Sequence, residues 1–224
     1  VIQAMQQLQL QPEVTTSLQL NSPTRSSSTD SLDRVQLAPW IHLQTEAQQV
    51  DWLILHFNHW FSHLNVCLVK GDFEPEYFPE TSYSYAKIQF AHGFFNSALH
   101  EISHWTIAGD ARRKLPDLGY WYAPDGRTQQ QQALFEQVEI KPQAIEWMFA
   151  QAFGRKFRVS LDNLTGDGGD GKGFKDNVYT QVQAYFNGTA KLPRDAMRFI
   201  QCICACTRGS KSLQSDEFIR EMLD

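Results

Sequence analysis

Between Thr45 and Leu64 the apolar residues Val50, Leu53, Ile54, Phe57, Phe61 and Leu64 follow the period of an amphipathic helix. Two β-favouring runs come next, NVCLVKG and AKIQFAH, separated by the proline-containing DFEPEYFPETSYSY. They predict two strands joined by a long irregular connection. The segment NSALHEISHWTIAG then predicts a helix bounded by Asn96 or Ser97 at its start and by Gly109 after its end. A second long helix is expected from about Gln129 to Phe153, broken near Pro142, because an internal proline removes a helix hydrogen bond. RKFRVSLDN reads as a further short strand, and three helices are expected over Asn177 to Phe186, Arg194 to Cys206 and Ser215 to Leu223. The pattern describes an α+β fold: a single compact domain in which the HExxH helix and a second long helix pack with a small sheet, followed by a helical C-terminal part.

Residues 1–38 stand apart. They are rich in Gln, Ser and Thr and hold no aromatic residue, so they cannot bury enough apolar surface to offset their ordering entropy. A flexible, low-complexity N-terminal segment is expected there, and the folded domain over 39–224. The chain begins with Val1 and not Met, which points to a trimmed or fragmentary start. A net charge of −5 offers no basic field for phosphate backbones, so nucleic acid is not expected as a direct partner, and a cationic substrate is better matched. The sequence shows neither a signal peptide nor an apolar run of membrane-spanning length, and a cytoplasmic location with no membrane contact is expected. Cys67 and the cluster Cys202, Cys204 and Cys206 lack zinc-ribbon spacing and read as small buried side chains in a reducing compartment.

Chemistry enters at His100, Glu101 and His104. Helical residues four apart are separated by about 40° around the axis and about 6 Å along it, so two imidazoles can converge on one ion. In zinc peptidases the intervening glutamate takes a proton from metal-bound water. The alternative is a pair of ordinary helix histidines. The apolar neighbours Phe94, Phe95, Leu99, Ile102 and Trp105 favour partial burial, in which the imidazoles need strong partners. A carboxylate is available on the next helix at Glu136, Glu139 or Glu146. Two histidines and one carboxylate hold zinc in peptidases and iron(II) in oxygenases, and spacing does not separate hydrolysis from oxidation.

Taken together, SALHEISHWTIAG, GYWYAPDGR, VEIKPQAIEW and KFRVSLDNL closely resemble the elongation factor P hydroxylase family, most strongly from Lys87 to Leu164. The resemblance implies an iron-dependent hydroxylase acting on the modified (β-lysylated) lysine of translation elongation factor P, with dioxygen as co-substrate and the electron donor left open. It implies His100, His104 and Glu139 as metal ligands, with Glu136 next in line and Glu146 facing another contact. Glu101 becomes a group that orients water, a dioxygen-derived ligand or the substrate ammonium. For such a substrate, carboxylates and ring faces at Tyr120, Trp121, Tyr122 and Asp125 are candidate binding groups, as is Asp162. Arg112, Arg113 and Lys114 read as a solvated charge run.

Two patterns mislead. GDGGDGKG at Gly166 to Gly173 fits a glycine-rich phosphate loop in outline, but Gly173 replaces the magnesium-binding hydroxyl, Asp167 and Asp170 would repel phosphate, and no helix with a ribose-binding acid is expected directly after it. A surface loop is expected instead. His56, His59 and His63 share helical spacing without a motif and read as surface or packing residues, and His92 as a weaker supporting group before the metal helix. The rival functions are an HExxH zinc metallopeptidase and a non-catalytic module that only docks on elongation factor P.

Overall fold

Thr45 and Gln48 open the first helix with a capping box, each side chain bonding the other's backbone N–H at 3.2 and 3.1 Å. In the computed structural model, which describes residues 39–120, 128–161 and 171–224, this helix is α1 (Glu46–Trp60) and buries Val50, Trp52, Leu53 and Phe57. The expected N-terminal segment, 1–38, lies outside the described residues. Asn65, in the left-handed region at φ 49°, turns the chain into β1 (Val66–Lys70). β1 pairs in parallel with β3 (Ala86–Phe90), register Leu68 to Ile88. A strand absent from the sequence reading, β2 (Glu76–Phe78), pairs antiparallel on the other side of β3, register Tyr77 to Ile88, giving the order β1-β3-β2. Leu68, Ile88, Phe90 and Tyr77 are buried on the sheet's inner face. Asn58 of α1 closes part of the free edge of β1, accepting from the Leu68 N–H at 2.6 Å and donating to its carbonyl at 3.3 Å.

The next helix, α2 (Phe95–Ile107), ends before Gly109 as its sequence indicates, but Asn96 and Ser97 do not cap it. Ser97 turns back to accept from the Ala91 N–H, while the Glu46 carboxylate of α1 accepts from the Phe95 N–H at 3.1 Å. An acid at this end also suits the helix dipole. α3 (Gln129–Ala152) follows without the expected break: Pro142 lies inside a continuous helix. From Gln143 to Ala150 every residue of α3 is buried, which makes it the central helix that α2, α4 (Lys172–Phe186) and α5 (Arg194–Thr207) pack around. Edge-to-face pairs such as Phe61 with Trp105 and Phe149 with Phe199, at 5.1 and 4.8 Å, fill the core.

Several local expectations need correction. Described residues 155–161 form no strand, because Gln143 takes both backbone groups of Ser160, at 2.7 and 3.0 Å, and Gln132 takes the Leu161 carbonyl. Lys172 and Gly173 begin α4 and do not belong to a loop, so a helix does follow the glycine-rich stretch. Ser215 to Leu223 makes two short 3-10 turns and not an α-helix. Of the C-terminal cysteines only Cys204 is buried, and Cys206 is exposed. Phe94 is 56% exposed, outside the apolar surround expected of it. His56 stacks on Trp52 and His63 meets Arg198, in keeping with packing roles.

The arginines after α2 are structural and do not form a solvated run. Arg113 donates to the Trp105 carbonyl in the last turn of α2, stacks 4.0 Å from the Trp105 ring centroid, and pairs with the buried Asp195 of α5 at 2.6 Å. Removing one partner of a buried ion pair is costly, and it would leave Asp195 with only the exposed Arg194, at 3.1 Å, for compensation. Arg113→Ala is therefore expected to lower stability by about 3 to 5 kcal/mol in urea denaturation, with partial recovery when Asp195→Asn is added.

Candidate metal centre

α2 places His100 and His104 on one face, and α3 places Glu139, Gln143 and Glu146 opposite, at offsets of four and seven that keep one helix face. The two Nε2 atoms stand 3.1 Å apart. The Glu139 carboxylate reaches both, with Oε1 3.3 Å from His104 Nε2 and Oε2 3.6 Å from His100 Nε2. Glu139 is 1% exposed, and neither of its oxygens makes a hydrogen bond of good geometry. A buried carboxylate left in that state needs another partner. Ligands about 2.1 Å from one ion and at right angles lie about 3.0 Å apart, so the triangle of donors suits a single cation. His100, His104 and Glu139 are the group among the described residues whose ligand atoms gather within 4.8 Å of one another.

Glu146 has a different task. Its Oε2 accepts from His100 Nδ1 at 2.8 Å, which fixes the imidazole with Nε2 toward Glu139 and His104. Such a carboxylate behind a ligating histidine sets tautomer and ring plane and raises ligand basicity. The offset of seven residues from Glu139 was the sequence signal for this pairing. Glu136 instead accepts a hydrogen bond from Gln132 at 3.2 Å. His92 is exposed beside Phe94 and does not line the cavity that reaches the centre.

Burial disfavours a charged His100, but the Glu146 hydrogen bond and the charges of Glu146, Glu139 and Glu101 outweigh it and bring its pKa to about 10. Burial also works against the Glu139 carboxylate, which His104 and His100 nonetheless hold below the usual range. For Glu101 burial wins: its carboxyl is pushed up against the opposing pull of His100 and His104.

The cavity above the centre has a volume of about 1010 Å³. Glu74, Glu76, Glu101, Asp117, Glu139 and Glu146 line it, against Arg158 as the one Arg or Lys among the described lining residues. A long cationic chain fits that charge, with carboxylates at its head and apolar groups such as Phe135 and Leu118 along its stem. Tyr120 lines the same space, its ring 5.4 Å from His104 and nearly perpendicular to it. Trp121, Tyr122, Asp125 and Asp162 lie outside the described residues. Sequence reasoning did not find the wall formed by Glu74, Glu76 and Asp117, because it depends on β2.

A metal ion bound here would compete with a proton for His100. Its pKa is raised above that of a free imidazole, so the charged ring stabilises the metal-free fold at low pH, and this contribution is lost as pH climbs through about 10. Ligation needs the neutral ring, so apparent metal affinity should rise with pH over the same range. Calorimetric titration at neutral pH, repeated in buffers of different ionisation heat, is expected to show about one proton released per ion bound. Binding with no proton release would contradict the assignment.

The sequence profile of the elongation factor P hydroxylase family matches residues 56–218. A protein of Haemophilus influenzae described as "Elongation factor P lysine hydroxylase" is 52% identical over 135 residues, covering 59% of this chain and 76% of that protein. The family match runs from within α1 to the C-terminal turns and takes in both helices of the centre. On these grounds the chain belongs to the elongation factor P hydroxylase family.

Proposed function

We propose that the protein hydroxylates the modified, β-lysylated lysine of elongation factor P, using iron(II) held by His100, His104 and Glu139. The observation that carries the reading is the carboxylate-lined cavity ending on two imidazoles and the buried Glu139, whose oxygens make no hydrogen bond of good geometry. Two imidazoles and one carboxylate form the donor set of non-haem iron(II) oxygenases, and such a set leaves positions open on one side. Bound there, the ion supplies activation of dioxygen for insertion of one oxygen atom into a carbon–hydrogen bond.

The remaining work falls to the chain itself. Glu146 holds the Nδ1 proton of His100 and keeps Nε2 directed at the centre. Glu101 and the wall of Glu74, Glu76 and Asp117 offer negative charge to the substrate's ammonium groups, so the target methylenes lie between that wall and the triad. Gln143 pins the backbone of Ser160, another residue of the cavity lining. Incorporating one oxygen atom and releasing the other as water consumes two electrons and two protons from an external donor. A translation factor as substrate puts the enzyme in the cytoplasm, and no described helix is long and apolar enough to cross a membrane.

Mass spectrometry of β-lysylated elongation factor P after incubation with iron(II)-loaded protein in air is expected to show the gain of one oxygen atom. Glu146→Gln should retain the fold and lose about 10- to 100-fold in activity, the usual cost of removing the partner of a ligating histidine. His104→Ala and Glu139→Gln should lose more. Backbone cleavage of the factor, unaffected by removal of oxygen, would reverse the reading in favour of a peptidase.

A further inference from the structure

Between the end of α2 and Tyr120 the chain runs through three consecutive left-handed residues, Asp117, Leu118 and Gly119, at φ 48°, 55° and 67°. Only the last is a glycine, so the first two are strained. At Gly119 a Cβ would lie 2.8 Å from Leu115 Cδ1, the movable tip of an exposed side chain, so the positive φ is what favours glycine there. Three anchors hold the turn in place. The Asp117 carboxylate accepts from the Tyr77 N–H of β2 at 3.1 Å, Leu118 is buried, and the Arg112 Nε–H donates to the Leu118 carbonyl at 2.7 Å. The turn thereby returns the chain to the metal centre and delivers the Tyr120 ring to His104.

Arg112 does more than hold a carbonyl. Its guanidinium carbon lies 3.5 Å from the centroid of the Tyr120 ring, a close cation–π stack. The guanidinium thus lies over the phenol ring, and that ring meets the imidazole edge-to-face at 5.4 Å. His100 is held by a hydrogen bond from Nδ1 to Glu146, and His104 meets the ring that Arg112 holds.

We propose that Arg112 is a positioning residue for the reaction, acting through Tyr120 to set the plane of the His104 imidazole. This rests on the reading of His104 as a metal ligand. The strained turn exists, on this view, to bring the stack to the centre, which accounts for its left-handed non-glycine residues. A plain staple for the loop would need only the bond to the Leu118 carbonyl, and a plain substrate contact would need only the tyrosine.

Cobalt(II) titration of the full chain without substrate separates these. The visible spectrum of the bound ion reports ligand geometry, and thermal melts followed by circular dichroism report the fold. Arg112→Gln can still donate to the carbonyl but cannot stack as a cation, and Tyr120→Leu removes the ring. Both are expected to keep the fold, shift the visible bands and weaken cobalt binding by about 10- to 100-fold. Tyr120→Phe keeps a ring for the stack and is expected to retain the unchanged protein's spectrum. Identical spectra and affinities in Arg112→Gln and Tyr120→Leu would overturn the proposal while leaving the ligand assignment intact. Failure of the unchanged protein to bind cobalt would overturn the ligand assignment and the proposal with it.

Discussion

A carboxylate with both oxygens unbonded sits on the central helix of the fold, at Glu139, and much of the surrounding structure answers to it. In a low-dielectric interior such a charge needs close compensation, which here comes from His104 and His100 across the α2–α3 contact. That requirement fixes how α2 lies on α3. The other elements secure α2 from outside: Glu46 of α1 meets its first N–H, Arg113 caps its last turn and ties it to α5, and the sheet packs against it. The arrangement gathers the ligand atoms of His100, His104 and Glu139 within 4.8 Å of one another, a spacing that suits a single cation.

Above that frame the cavity is built from pieces that are far apart in sequence. β2 contributes Glu76 and Tyr77, the left-handed turn contributes Asp117 and Leu118, and α3 contributes Phe135 and the acidic face. Asp117 joins the first two through its bond to the Tyr77 backbone, so the acidic wall and the turn that leads to Tyr120 share one of their anchors. A preorganised negative pocket suits a cationic chain, because its charges are already oriented before the substrate arrives.

How far the sequence revealed this depended on period and length. α1, β1, β3 and α2 were legible because each carries a sustained apolar pattern, and His100 and His104 because helical spacing brings them to one side. β2 was not, since three residues between Pro75 and Pro79 are too few to show alternation. Residues 155–161 looked like a strand, but buried glutamines of α3 occupy backbone groups that a neighbouring strand would have used. Pro142 suggested a break, yet the packing of α3 on all sides keeps the helix continuous. Glu146 was expected to face some other contact, and the structure shows that contact to be His100 Nδ1. The left-handed turn before Tyr120 was not legible, because no local rule places Asp117 and Leu118 at positive φ.

The central claim is that the unbonded carboxylate and the two imidazoles together hold one metal ion. X-ray absorption at the iron edge of the iron(II)-loaded protein tests it most directly. The account predicts two imidazole scattering patterns with oxygen ligands, one imidazole pattern being lost in His104→Ala. An iron environment without imidazole, or one unchanged by that substitution, would contradict it.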